Sequence, residues 1–230
     1  MGVQLTGLGQ TAAAAADATF KALRVTPRTM ENLNWQCIST TTGLQTATVA
    51  FVNTTGAGTI WSLMNNGVNY IAVRRVQVGW RQTTAFTTAQ RIEYGLVIGR
   101  NHTTPFIAGG TILYTTNGLS TGRLSSRQSS APPVSIITAT TAGLTALTAG
   151  NVVFDANYVG YVNWWCGAVG AYLSPTTTLF ESLPGEPPLI LKQAESVNIA
   201  NLFLMGAAGV GVATITVEFA EVPPMALSLV

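Results

Sequence analysis

Between Tyr70 and Arg100 apolar and polar side chains alternate with a period of two. In the second half of this stretch Ile92, Tyr94, Leu96 and Ile98 point one way and Arg91, Glu93 and Gly95 the other. That pattern predicts a strand with one buried face. The first half alternates too, but its phase slips: Ile71 and Val73 occupy odd positions, Val76, Val78 and Trp80 even ones. The slip falls at Arg74–Arg75, and one extra residue there, a β-bulge, would keep both apolar sets on the core side. The pattern therefore predicts two long core strands joined by a Thr-rich loop and paired antiparallel.

The same reading carries along the chain. Residues 1–17 are small, neutral and Ala-rich; a short helix and an extended arm are both open to them. Residues 18–27 form a strand stopped by Pro27, and 28–42 a connection ending in threonines. A strand follows at 43–53, with Leu44, Thr46, Thr48, Ala50 and Val52 on one side, then a turn at 54–58 and a short strand at 59–64. Asn65-Asn-Gly67 is a turn signal. Residues 112–114 are strand or helical turn, and 115–133 a long surface loop rich in Ser, Gly and Pro. Short strands are expected at 134–139 and 152–154, an apolar strand or loop at 163–172, a strand–turn–strand over 187–199, and a last strand at 211–222 with Ala213, Ile215, Val217 and Phe219 inward. About eight strands without a long helix predict an all-β, antiparallel sandwich, jelly roll or barrel. The expected organisation is an N-terminal arm, 1–17, and a single β-sandwich domain, 18–230.

Composition sharpens this. Of 230 residues 47% are apolar, 9% are charged, and 33 are threonines. Charge is far below the roughly one quarter of ordinary globular proteins, so polarity comes from hydroxyls and amides. A charge-poor surface points to coverage by partners. The net charge is +2 with only two lysines, and no basic tract is present to neutralise phosphates, which argues against direct genome packaging. The segment beginning Met1–Thr6 has no basic residue before Lys21 and no long apolar run, so a secretory signal is not expected, and no apolar run reaches membrane-spanning length.

Candidate chemistry is sparse. His102, the single histidine, reads as a solvated loop residue, since no carboxylate is near it in sequence. Glu93 and Glu218 read as outward, salt-bridging residues on strands rather than the paired carboxylates of a glycosidase. Cys37 and Cys166 fit no metal spacing and, each beside a Trp, read as buried free thiols. The glycine-rich run 206–211 lacks the glycine order of a dinucleotide loop and leads into a strand. Trp164–Trp165 could stack on a sugar, or fill a core or a subunit interface. No catalytic, metal or cofactor site is therefore assigned.

Features spread along the chain carry a resemblance: Asp17 to Val25, Val73 to Val78, Thr84 to Gln90, Leu147 to Ala156, Pro188 to Ile199, and Val217 to Glu221. Through them the chain resembles virion structural proteins of tailed bacteriophages. The resemblance implies a jelly-roll-like sandwich that assembles on a virion, made in the host cytoplasm. A small chain without repeats or a fibre-like stalk fits decoration or cementing of a capsid, and the charge-poor surface a homo-oligomer, for which the resemblance implies a trimer that contacts itself and a major capsid protein; the composition points to neither nucleic acid nor membrane as partner. Leu5, Leu8 and Gln10 in the arm, Arg123 and Arg127 in the long loop, and Trp164 and Trp165 are the candidate contacts. The alternative is a tail, neck or carbohydrate-binding module, which predicts exposed aromatics with polar neighbours.

Overall fold

The computed structural model describes residues 33, 35–114, 133–168, 172–183 and 186–222, together with backbone strands at 4–7, 10–16, 23–25 and 122–123. The chain divides into two compact units, Met1–Leu33 with Val222–Val230, and Asn34–Glu221. In the first unit β1 (Gln4–Gly7), β2 (Gln10–Ala16) and β3 (Leu23–Val25) form an antiparallel sheet in the order β1-β2-β3, with Gly7 opposite Gln10 and Ala14 opposite Val25. Alanine favours helix in isolation, but a run of small residues has no apolar stripe to dock one. Main-chain pairing needs no side chain, and here it wins.

The second unit is a two-sheet antiparallel sandwich. Its strands are β4 (Gln36–Thr41), β5 (Thr59–Asn65), β6 (Tyr70–Thr84), β7 (Gln90–Arg100), β8 (Gly110–Tyr114), β9 (Gly122–Arg123), β10 (Val134–Ala139), β11 (Val153–Phe154), β12 (Gly160–Cys166), β13 (Thr177–Glu181), β14 (Leu189–Leu191), β15 (Ser196–Asn201) and β16 (Val210–Val222). One sheet runs β11-β7-β15-β5-β10-β8 with β12 also on β7; the other runs β13-β6-β16-β4-β9 with β14 also on β6. No helix occurs among the described residues. The chain crosses from sheet to sheet at β4, β5, β6 and β7, and again from β12 through β16. The last two strands insert into earlier pairs: β15 between β7 and β5, and β16 between β6 and β4. This nesting is the jelly-roll arrangement.

The crossing corrects one expectation. β6 and β7, predicted from their pattern to pair antiparallel, lie in different sheets and meet face to face across the core. Asn65-Asn-Gly67 is a turn as expected, its Gly67 amide donating to Asn65 Oδ1, and it leads from one sheet to the other. Alternation tells which side chains are buried, and it is equally satisfied by pairing within a sheet and by packing between sheets. Ile92, Tyr94, Leu96 and Ile98 from β7, Val76, Val78 and Trp80 from β6, and Ile215, Val217 and Phe219 from β16 are all buried, as their phases require. Trp80, Tyr94 and Trp164 form an edge-to-face chain through the sandwich, with centroids 6.1 and 5.9 Å apart, an arrangement that adds to their area burial.

The slip in β6 leaves both apolar sets on the core side, as predicted, while the register shift seen beside it is on β13, between Thr178 and Phe180. Ile71 and Val73 are buried along with Val76, Val78 and Trp80, and the adjoining strand changes from β14, opposite Ile71–Val73, to β13, opposite Arg75–Val78. Arg74 and Arg75, consecutive in sequence, reach the same carboxylate. Arg74 donates from Nε and Nη2 to Glu218 Oε2 at 3.0 and 2.6 Å, and Arg75 Nη2 donates to Oε1. Glu218 was expected to face outward; it is only 5% exposed and is enclosed by its two cations.

Residues 43–53 are not the expected strand. They carry only isolated bridges at Gln45 and Val52, and Ala47 has a φ of 48°. Their inward groups are hydrogen-bonding ones. Gln45 donates to the Gly43 and Ala139 carbonyls and accepts from the Gly143 amide. Asn201 Nδ2 donates to the carbonyls of Thr48 and Val49, both at 3.0 Å. Buried amides thus tether the segment where a ladder would have been. Conversely, 28–42, read as a connection, ends in β4, whose one large apolar side chain, Ile38, leaves no alternation to detect. β13 escaped because its two large apolar side chains, Leu179 and Phe180, are adjacent rather than alternating.

Candidate functional site

His102 is the first place to look for chemistry. It was expected in a solvated loop but is 6% exposed. Its ring packs edge-on against Phe106 and Phe154, 6.2 and 6.3 Å between centroids. Nδ1 lies 3.3 Å from the Thr104 carbonyl and Nε2 2.7 Å from Ser196 Oγ. A carbonyl only accepts, so Nδ1 carries the proton and the serine hydroxyl donates to Nε2. This is the contact of a nucleophile with its base, yet it is sealed. Ser196 has no exposure, Asn198 Nδ2 also donates to its Oγ at 2.8 Å, and a Cβ on Gly99 would lie 2.6 Å from both partners. No substrate reaches the hydroxyl, and a backbone carbonyl stands where a triad has a carboxylate. Burial holds the imidazole below its usual pKa, partly offset by the Thr104 carbonyl. The pair fastens the 101–106 loop to β15.

Glu93 and Glu218 are on β7 and β16, in different sheets, so they do not form a catalytic pair. Among the described residues no three His, Cys, Asp or Glu side chains gather where a metal could bind, and no helix is long and apolar enough to cross a membrane. Cys37 and Cys166 are free. Burial raises the Cys166 thiol to about 11, with the Trp80 indole N–H pulling slightly the other way, so it is not a nucleophile.

What the fold does display is the outer face of β12. The strand pairs with β7 so that Tyr161 lies opposite Gly95, Asn163 opposite Glu93 and Trp165 opposite Arg91. Because side chains alternate across a strand, Val162, Trp164 and Cys166 enter the core while Tyr161, Asn163 and Trp165 face solvent. Tyr161 is 63% and Trp165 66% exposed. Beside them Arg91 Nη2 pairs with Glu93 Oε2 at 2.9 Å, and the Arg91 guanidinium lies 5.2 Å from the centre of the exposed Phe203 ring. The Leu202 amide donates to the Glu93 carbonyl, and the Leu202 side chain covers Gly95, where a Cβ would sit 2.9 Å away. Farther along the β7 edge, Val159 N bonds Leu96 O and Asp155 N bonds Ile98 O. That segment forms one wall of a cleft of about 300 Å³ lined by Phe51, Val52, Asn53, Asp155, Ala156 and Tyr158. Asp155 is held there by Arg100, both contacts 2.8 Å, and Arg100 also pairs with Glu195 at 2.9 Å. The two carboxylates raise the guanidinium pKa further.

The sequence-derived contacts are dispersed. Trp165 is at the surface and Trp164 inside, since neighbours on a strand take opposite faces. Leu5 and Gln10 are in β1 and β2, and Arg123 is in β9, opposite Gln36. Leu8 and Arg127 lie outside the described residues. Tyr161 and Asn163 were missed because 163–172 was read as one apolar run; extending the alternation of Trp165 back by two and four residues would have found them.

No family model and no curated protein matches the chain. Among solved structures it is similar to infectious bursal virus derived T=1 particles, at 12% identity and a TM-score of 0.18, over 99% of this chain and 47% of that one. It is also similar to the infectious bursal disease virus Gx strain, at 13% identity and a TM-score of 0.15, over 100% and 49%. The chain spans about half the length of these structures, and likenesses at this level carry no weight for its function.

Proposed function

We propose that this chain is a non-enzymatic structural protein of a virus particle, decorating or cementing the outside of a bacteriophage capsid. The observation that carries the reading is a jelly roll whose surface presents apolar side chains in place of charges. Leu44, Val68, Ile107, Leu173 and Leu204 are each more than half exposed in a chain with 9% charged residues. Such a surface is suited to burial against partners, and the jelly roll recurs in capsid and lectin domains. The sealed His102–Ser196 pair leaves the one nucleophile–base contact without access, which further supports a structural role.

In this reading the protein is a homo-oligomer, a trimer, and residues 1–17 contact the major capsid protein. Residues 4–7 and 10–16 already pair as β1 and β2, and repeated contacts on a particle by several copies in one oligomer would add to the binding of each. Deleting residues 1–17 tests it. The variant is expected to fold and self-associate but to lose binding to particles. Undiminished binding would remove the segment as the anchor, and a monomer at micromolar concentration in sedimentation would remove the oligomer. The alternative, a tail, neck or receptor-binding module, predicts instead that the protein labels one end of the particle in electron micrographs.

A further inference from the structure

We propose that the outer face of β12 is a binding site for a neutral oligosaccharide, with Tyr161 and Trp165 as its stacking surfaces. The inference does not depend on where the chain sits on a particle.

The spacing is the first support. Four residues along a strand place Tyr161 and Trp165 about 13 Å apart on one face, which suits an extended chain of sugar rings rather than a single ring. Both rings are mostly exposed, and they stand on a strand whose other face is locked in the core by Trp164. Sites built on strands hold their geometry better than sites on loops.

Polar chemistry lies between and beside the rings. Asn163, midway, offers both amide donors and a carbonyl acceptor, the combination that reads hydroxyl groups. Glu93, directly across from it, has Oε2 engaged by Arg91 and keeps its other oxygen for a hydroxyl. Interleaved amide and carboxylate distinguish this face from an interface core, which is depleted of charge and dry.

Charge selects the class. Arg91 is neutralised by Glu93, and Arg100 faces two carboxylates, Asp155 and Glu195. Among the described residues no unpaired cation lies at the face or at the Asp155–Tyr158 cleft beyond it, so sulfated or sialylated sugars gain nothing there and are repelled by any excess carboxylate. A neutral chain matches.

The experiment is isothermal titration calorimetry of the full chain with three neutral hexasaccharides, of α-1,4-linked glucose, β-1,4-linked glucose and β-1,4-linked N-acetylglucosamine, and with a sialylated oligosaccharide. At least one neutral sugar is expected to bind saturably and more tightly than the acidic one. Trp165→Ala and Tyr161→Ala should each weaken it about tenfold with the unfolding temperature unchanged, because neither ring is in the core. Absence of saturable binding to all three at millimolar concentration overturns the proposal, as does binding indifferent to both substitutions. If Trp165→Ala instead dissociates an oligomer in sedimentation, the face is an interface between copies and the sugar site is excluded.

Discussion

Two buried polar groups show how single residues set conditions for the rest. His102 is neutral in the fold and its pKa is lowered by burial. The unfolded chain therefore takes up the proton first, near the ordinary value of about 6.5. Stability from this group is complete above that pH and is lost as pH falls from there toward the lower folded value, below which the loss levels off. Urea midpoints measured from pH 8 to pH 5 should fall in that window, and His102→Gln should flatten the fall. An equal slope in both proteins would assign the effect to other groups. Glu218 is the second case, a buried side chain that accepts hydrogen bonds from both Arg74 and Arg75. Arg74 is further held by its guanidinium 4.6 Å from the Trp35 ring. Glu218→Gln preserves shape and removes the charge. It should lower stability by about 1.5–3 kcal/mol, the range for hydrogen bonds to charged groups. A change of only a few tenths, as for an exposed pair, would mean that water already satisfies both arginines.

At the scale of elements, β6 is the instructive strand. Its buried residues change parity between Val73 and Val76, so the two arginines at the change are structural spacers as well as ligands of Glu218. Inserting one alanine between Val76 and Gln77, beyond the change, breaks the alternation and turns Val78 and Trp80 away from the core, since a one-residue shift flips every later side chain. The insertion should abolish the cooperative thermal transition and the near-ultraviolet signal of Trp80, whereas Arg75→Ala should keep both. A cooperatively folded insertion variant would show that the strand can absorb a second slip. β12 makes the same point from the surface. One alternation divides Trp164 from Trp165, giving the first to the core and the second to the candidate sugar face.

The second unit is a jelly roll in which the last strands close the earlier ones. β15 and β16 insert between strands laid down roughly one hundred to one hundred and eighty residues before, so the core is complete only when the C-terminal third arrives. Contacts of this separation are costly in loop entropy and fold slowly. The loops over the outer face of the seven-stranded sheet are fastened by buried amides and by His102 rather than by ladders. The surface left over carries little charge and several exposed apolar side chains, Leu44, Val68, Ile107, Leu173 and Leu204 among them, which suits it to burial against other surfaces.

Local periodicity by itself determined which side chains are inside. Ile92 to Ile98, Val76 to Trp80 and Ile215 to Phe219 were legible because burial on one face of a strand imposes a two-residue period that no other element imitates. Low charge and abundant threonine likewise limited the fold to β-structure. Only tertiary structure decided that β6 and β7 face each other instead of pairing, that β4 and β13 exist, and that the 43–53 segment is tethered by Gln45 and Asn201. It also decided that His102 is enclosed with Ser196. These are matters of partnership between residues of different elements, and a hydrogen bond or a ring contact across the core leaves no period along the chain.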